Sequence, residues 1–184
     1  WRNIVYTMDQ RDGYYLNNQV TGGIILNAQI TEDLSFKSNL SIDNRSEDSR
    51  WFNGDFQGTR NSDARGSNER WFYWQNENYL NYIKSVGNHS FAGILGLSWQ
   101  ETTNEWVEAQ ASRFPSNFYL YNNLDAGTNP ARALSRNQRS ALNSYFARVN
   151  YDFAGKYMLT ATGRIDGSSK FGPNNKYAFF PSVG

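Results

Sequence analysis

The run Ala141-Leu142-Asn143-Ser144-Tyr145-Phe146-Ala147-Arg148-Val149-Asn150-Tyr151-Asp152-Phe153 carries the strongest structural signal in the chain, together with its continuation through Ala154-Gly155-Lys156 into Tyr157-Met158-Leu159-Thr160-Ala161-Thr162-Gly163-Arg164-Ile165-Asp166. Tyr145, Ala147, Val149, Tyr151 and Phe153 alternate with Ser144, Phe146, Arg148, Asn150 and Asp152. Beyond a short polar turn, Tyr157, Leu159, Ala161, Gly163 and Ile165 alternate with Met158, Thr160, Thr162, Arg164 and Asp166. Successive side chains of a strand point to opposite faces, so each run has one apolar and one polar face. A helical period fits neither run.

The same pattern recurs upstream. Val20, Ile24, Leu26 and Ile30 share one parity; Leu34, Phe36, Leu40 and Ile42 share the next, and Phe91, Leu95, Leu97 and Trp99 a third. The expected strands are 19–31, 34–46, 70–85, 89–104, 140–153, 156–167 and one starting at 177. Most are longer than the ~5–6 residues usual in soluble sheets. Short turns at 31–33, 86–89 and 153–156 alternate with long polar stretches at 44–70, 101–140 and 167–176. This asymmetry predicts an all-β, antiparallel up-and-down transmembrane β-barrel, whose strands of ~9–11 residues join by short turns on one side and long loops on the other. Trp71, Phe72, Tyr73 and Trp74, and near a short turn Tyr151, Phe153 and Tyr157, fall where strands would cross the headgroup level. The alternation alone also allows a soluble all-β sandwich, such as a carbohydrate-binding module, with these rings in its core. Seven open strands leave two bare edges, which lipid does not tolerate. Either the first 18 residues supply an eighth strand, or the chain is an arc of a larger wall; the size of the loops favours the arc.

Composition narrows the partners. The 184 residues include no Cys and one His (His89), with a net charge of +1. No thiolate or polyhistidine metal site and no disulfide framework is possible. A near-neutral balance argues against nucleic acid, which requires a basic surface. The 23 Asn and 18 Ser keep the chain polar with few charges, while 16% aromatic residues exclude disorder. The first residue is Trp1 and an apolar run begins at Tyr177, so the chain reads as a piece of something longer.

Lys156 to Val183 resembles the signature string YLLTAT-R-DGSS-FG-NN-Y-FFPSV of SusC/RagA-type TonB-dependent outer-membrane transporters. Ser144–Tyr157 and Ser85–Gln100 are similar to hairpins of the same family, so the resemblance spans Val20 to Gly184. Gly163 departs from it, since a larger apolar residue is common there. The resemblance implies that residues 1–184 are about seven strands of a barrel of roughly 22, with the plug domain and TonB box outside this segment. It further implies a bacterial outer-membrane location, a SusD-like surface lipoprotein and TonB as partners, outer-membrane lipid around the wall, and import of glycans or peptides. No cofactor and no catalysis are implied.

Candidate functional residues fall into three groups. Asp166-Gly167-Ser168-Ser169, with Phe171 and Gly172, forms the signature loop. It is not expected to be a nucleophile site, because the only imidazole lies in a short turn on the opposite side. Asp166 is expected to accept backbone N–H groups and Gly167 to supply a positive φ; His89 is expected to be a solvated turn residue. Arg148, Asp152, Arg164 and Asp166 share the polar faces of adjacent strands, as a lumen network that either braces a plug or guides substrate. Asp43, Glu47, Asp48 and Asp55 lack calcium-loop spacing, so no metal is expected. Loop aromatics are the ligand candidates: Trp51, Phe52 and Phe56 in the first long loop, and Trp106, Phe114, Phe118, Tyr119 and Tyr121 in the second. They either stack on sugar rings or pack the loops together.

Overall fold

A computed structural model describes residues 5, 8, 10–55, 62–172 and 174–184. Seven strands, β1 Arg11–Gln29, β2 Leu34–Asn53, β3 Asp63–Val86, β4 His89–Ser112, β5 Asn129–Phe153, β6 Tyr157–Ser168 and β7 Tyr177–Val183, form one sheet in chain order. The register of β5 on β6 pairs Val149 with Ala161 and Tyr151 with Leu159; Ala161 in turn faces Val183 across β7. Apolar partners therefore share one face. Arg148 opposite Thr162 and Asn150 opposite Thr160 occupy the other.

Strand existence and order agree with the sequence reading, as do the span of β6 to within a residue and the start of β7, but β1 to β5 are longer than expected. Strands β2 to β5 run 20, 24, 24 and 25 residues. The expected loops 44–70 and 101–140 shrink to 54–62 and 113–128, and residues 11–18 lengthen β1 instead of building an eighth strand. The physical reason is that alternation reports one apolar face. Where water wets both faces, polar residues such as those of Asn44–Arg50 still complete the backbone ladder, with no periodic signal to betray it.

Turn chemistry fixes the short connections. Ala154 and Gly155 both have positive φ, 54° and 68°, so the β5–β6 turn is the mirror-image type whose twist suits a hairpin. Gly87 at φ 60° does the same for β3–β4.

The sheet comprises two compact units. Of the described residues, one unit takes those within 1–20, 44–72 and 103–138; the other takes those within 21–43, 73–102 and 139–184. In the first, Phe52, Ala64, Ala111 and Phe114 form a small core capped by Leu120, Tyr121, Leu124 and Ala126. Ser62, fully buried, ties the loop down: the Phe114 N–H donates to its Oγ at 2.8 Å, and the Arg113 N–H donates to its carbonyl at 2.7 Å. In the second, nothing among the described residues covers the apolar face. Ile24 is 69% exposed, Leu95 59% and Leu159 51%. An uncovered apolar sheet face of this extent is the opposite of a sandwich interior.

Candidate functional site

The polar face carries the chemistry. In the first unit, Ser49 bonds Ser67 (2.9 Å), Asn53 donates to Asp63 (3.3 Å), and Arg65 pairs with Glu108. These contacts put odd-numbered positions of β2 and β3 and even-numbered positions of β4 on one face, opposite the Phe52–Ala64–Ala111 core. Glu108 is 2% exposed, and its carboxylate also accepts from Gln110 Nε2. Its charge is thus compensated by one ion pair and one amide bond, as a buried carboxylate requires. Trp71 lies under the Arg45 guanidinium at 5.6 Å and Trp106 under Arg136 at 5.7 Å, both within cation–π range. Trp51, Asp63, Arg65, Gln110, Asn129 and Arg132 line a recess of about 300 Å³.

The predicted aromatics divide by position. Trp51 and Phe52 lie in β2 and Trp106 in β4, on strands and not in loops. Phe52 is 1% exposed and meets Phe114 edge-on at 5.6 Å, so its ring is closed to a ligand. Tyr121 packs edge-on against Tyr14 at 5.7 Å. Phe118 and Tyr119 sit in a short 3-10 turn, 81% and 47% exposed. Phe56 lies outside the described residues.

In the second unit the four polar-face residues do not form one network but fall into three separate groups. Arg164 Nε donates to both carboxylate oxygens of Asp166, at 2.7 and 2.9 Å, and its Nη2 donates to Ser144 Oγ at 3.1 Å. Arg148 donates to Thr162 Oγ1 at 3.3 Å. Asp152 instead accepts the Gly155 N–H at 3.0 Å and belongs to the turn.

The signature loop departs from expectation in two places. Asp166 is held by the Arg164 side chain, not by backbone N–H groups. Gly167 lies in β6 without a positive φ; it is glycine because the Tyr177 ring occupies the space a Cβ would need. Ser169 does the joining: its N–H donates to the Ala141 carbonyl at 2.9 Å, and its Oγ accepts the Ala141 N–H at 2.8 Å. The Ser168 N–H donates to the Lys176 carbonyl at 2.9 Å, while Phe171 and Gly172 form the turn beyond. His89 is exposed, as expected, but it opens β4 beside the turn and has partners there. Its Nδ1 bonds the Tyr151 hydroxyl at 2.7 Å, and its ring lies 4.8 Å from Phe153, within a cluster that includes Phe91 and Tyr157. The aromatic spacing near that turn is the signal in the sequence that points to the cluster.

No family model matches the chain. The chain is 47% identical over 106 residues to TonB-dependent receptor P3 of Formosa agariphila, 58% of this chain and 11% of that protein. To TonB-dependent receptor P39 of the same organism it is 32% identical over 168 residues, 86% of this chain and 16% of that one. TonB-dependent receptor SusC of Bacteroides thetaiotaomicron is 35% identical over 106 residues, 57% and 10% of the respective lengths. The chain belongs to the SusC/RagA-type TonB-dependent receptors. The RagAB peptide transporter superposes at a TM-score of 0.87 with 22% identity, over 97% of this chain and 20% of that one, which shows the shared fold. SusC/RagA-type receptors are β-barrel proteins of the outer membrane, and these strands are part of such a barrel. The chain spans between a tenth and a sixth of the curated relatives it matches.

Proposed function

We propose that the intact protein is an active importer of bulky nutrients, glycans or peptides, driven through TonB and working with a SusD-like surface lipoprotein. Residues 1–184 form wall strands, with plug and TonB box elsewhere in the protein. The apolar face meets lipid and the polar face lines the lumen. The observation that carries this reading is the uncovered row Ile24, Leu95, Val149 and Leu159, which needs a hydrocarbon solvent. Arg164, Asp166 and Ser144, with Arg148 on Thr162, then brace the inner wall. Trp51, Trp106, Tyr119 and Tyr121 are the aromatic groups offered to cargo or lid. A soluble carbohydrate-binding module is disfavoured by the same uncovered face.

Spin labels at Leu95, Val149 and Ala161 of the membrane-embedded protein test the facing. They are expected to be quenched by lipid-soluble reagents, while a label at Thr162 responds to water-soluble ones. Reversed or equal quenching would sink the assignment. Deleting the TonB box and losing uptake tests the energy source independently.

A further inference from the structure

We propose that the recess between Trp51, Asp63 and Arg132 is a saccharide subsite, holding one pyranose ring of an incoming glycan against the Trp51 face. This rests on reading the polar face as the transport lumen. At about 300 Å³ the recess is at the small end of the ~300–1,000 Å³ range of ligand sites, the scale of a single ring.

Its polar groups select the chemistry. Arg65 is committed to Glu108. Gln110 gives its NH2 group to Glu108 and Asn129 gives its own to Ser112 Oγ at 2.8 Å, which leaves their amide oxygens as acceptors. Asp63 accepts from Asn53, and among the described residues neither Asp63 nor Arg132 is in an ion pair. A carboxylate and a guanidinium therefore line one recess without neutralising each other. An anion would be repelled by Asp63 and a cation by Arg132, and a zwitterionic peptide is the charged ligand that could pair with both. A hydroxyl is donor and acceptor at once, so a neutral polyol satisfies both. A sugar ring adds an apolar face for the indole. Peptide capture by strand addition has no place here, because β2, β3, β4 and β5 each have a strand on both sides.

The test uses the full-length transporter purified in detergent. Binding is measured by calorimetry against neutral α- and β-linked hexose pentasaccharides, and against a tryptic casein digest. Folding of each variant is checked by heat-modifiable gel migration. The expected result is saccharide binding that weakens at least tenfold in Trp51→Ala and in Asp63→Asn, but only a few-fold in Trp51→Phe, which keeps a flat ring. Binding of the peptide digest alone, of no saccharide, or of saccharide with equal affinity in folded Trp51→Ala overturns the subsite. TonB-dependent uptake that survives such a result leaves the transporter reading intact; loss of TonB dependence defeats that reading by itself.

Discussion

The Phe146 ring occupies the space that a Cβ on Gly96 would need, across the β4–β5 boundary. Tyr79 then meets Phe146 edge-on at 5.7 Å, so three strands interlock through one missing side chain. The arrangement explains how a large ring sits on the otherwise polar face of β5 without standing free of the wall.

Replacing Gly96 tests that interlock. Gly96→Leu is expected to destabilise the barrel by about 1–3 kcal/mol, the usual range for overpacking a filled site. The check is the temperature at which heat-modifiable migration is lost on a gel. Gly87→Ala should also be unfavourable, but for a different reason: it has open space and a positive φ.

Charge on the two faces of β6 separates them by one residue. Leu159→Arg is expected to impair membrane assembly, since an arginine facing mid-bilayer costs ~2–4 kcal/mol. Thr160→Arg, on the face where Thr160 donates to Asn150 at 2.9 Å, should be far milder. Outer-membrane fractionation of the two variants reads the difference, and equal defects would refute the facing.

Glu108 depends on its partner. Arg65→Ala strands a nearly fully buried carboxylate and is expected to cost about 1–3 kcal/mol, with Arg65 itself partly solvated. Adding Glu108→Gln should recover much of the loss, because the neutral amide no longer needs a cation. Denaturant midpoints of the single and double variants check this.

Among the loop-side aromatics, packing and exposure predict opposite outcomes. Phe52→Ala empties the small core and is expected to cost ~3–5 kcal/mol locally, seen as faster proteolysis within 113–128. Phe118→Ala, at an 81% exposed position, should leave proteolysis unchanged.

Much of the fold is legible in the sequence because hydrocarbon and water impose a period of two on any strand between them. The alternation from Tyr145 to Phe153 and from Tyr157 to Ile165 marks both faces, and the short turns mark the antiparallel order. The string beginning at Lys156 points to the family by itself. Less of the candidate site can be read. Trp51 and Trp106 look like loop residues in a polar sequence, because a ladder wetted on both sides leaves no hydrophobic periodicity.

Which residues alternate, where the tight turns lie and what kind of wall they build are all written in the chain, since these depend on near neighbours and a uniform solvent on each side. That Phe52 is packing while Trp51 lines a recess, that Arg164 reaches across to Ser144 and that Gly167 makes room for Tyr177 emerge only once the strands are paired. Those outcomes depend on which strand lies alongside at a given height, and register is a property of the paired sheet, not of any one strand.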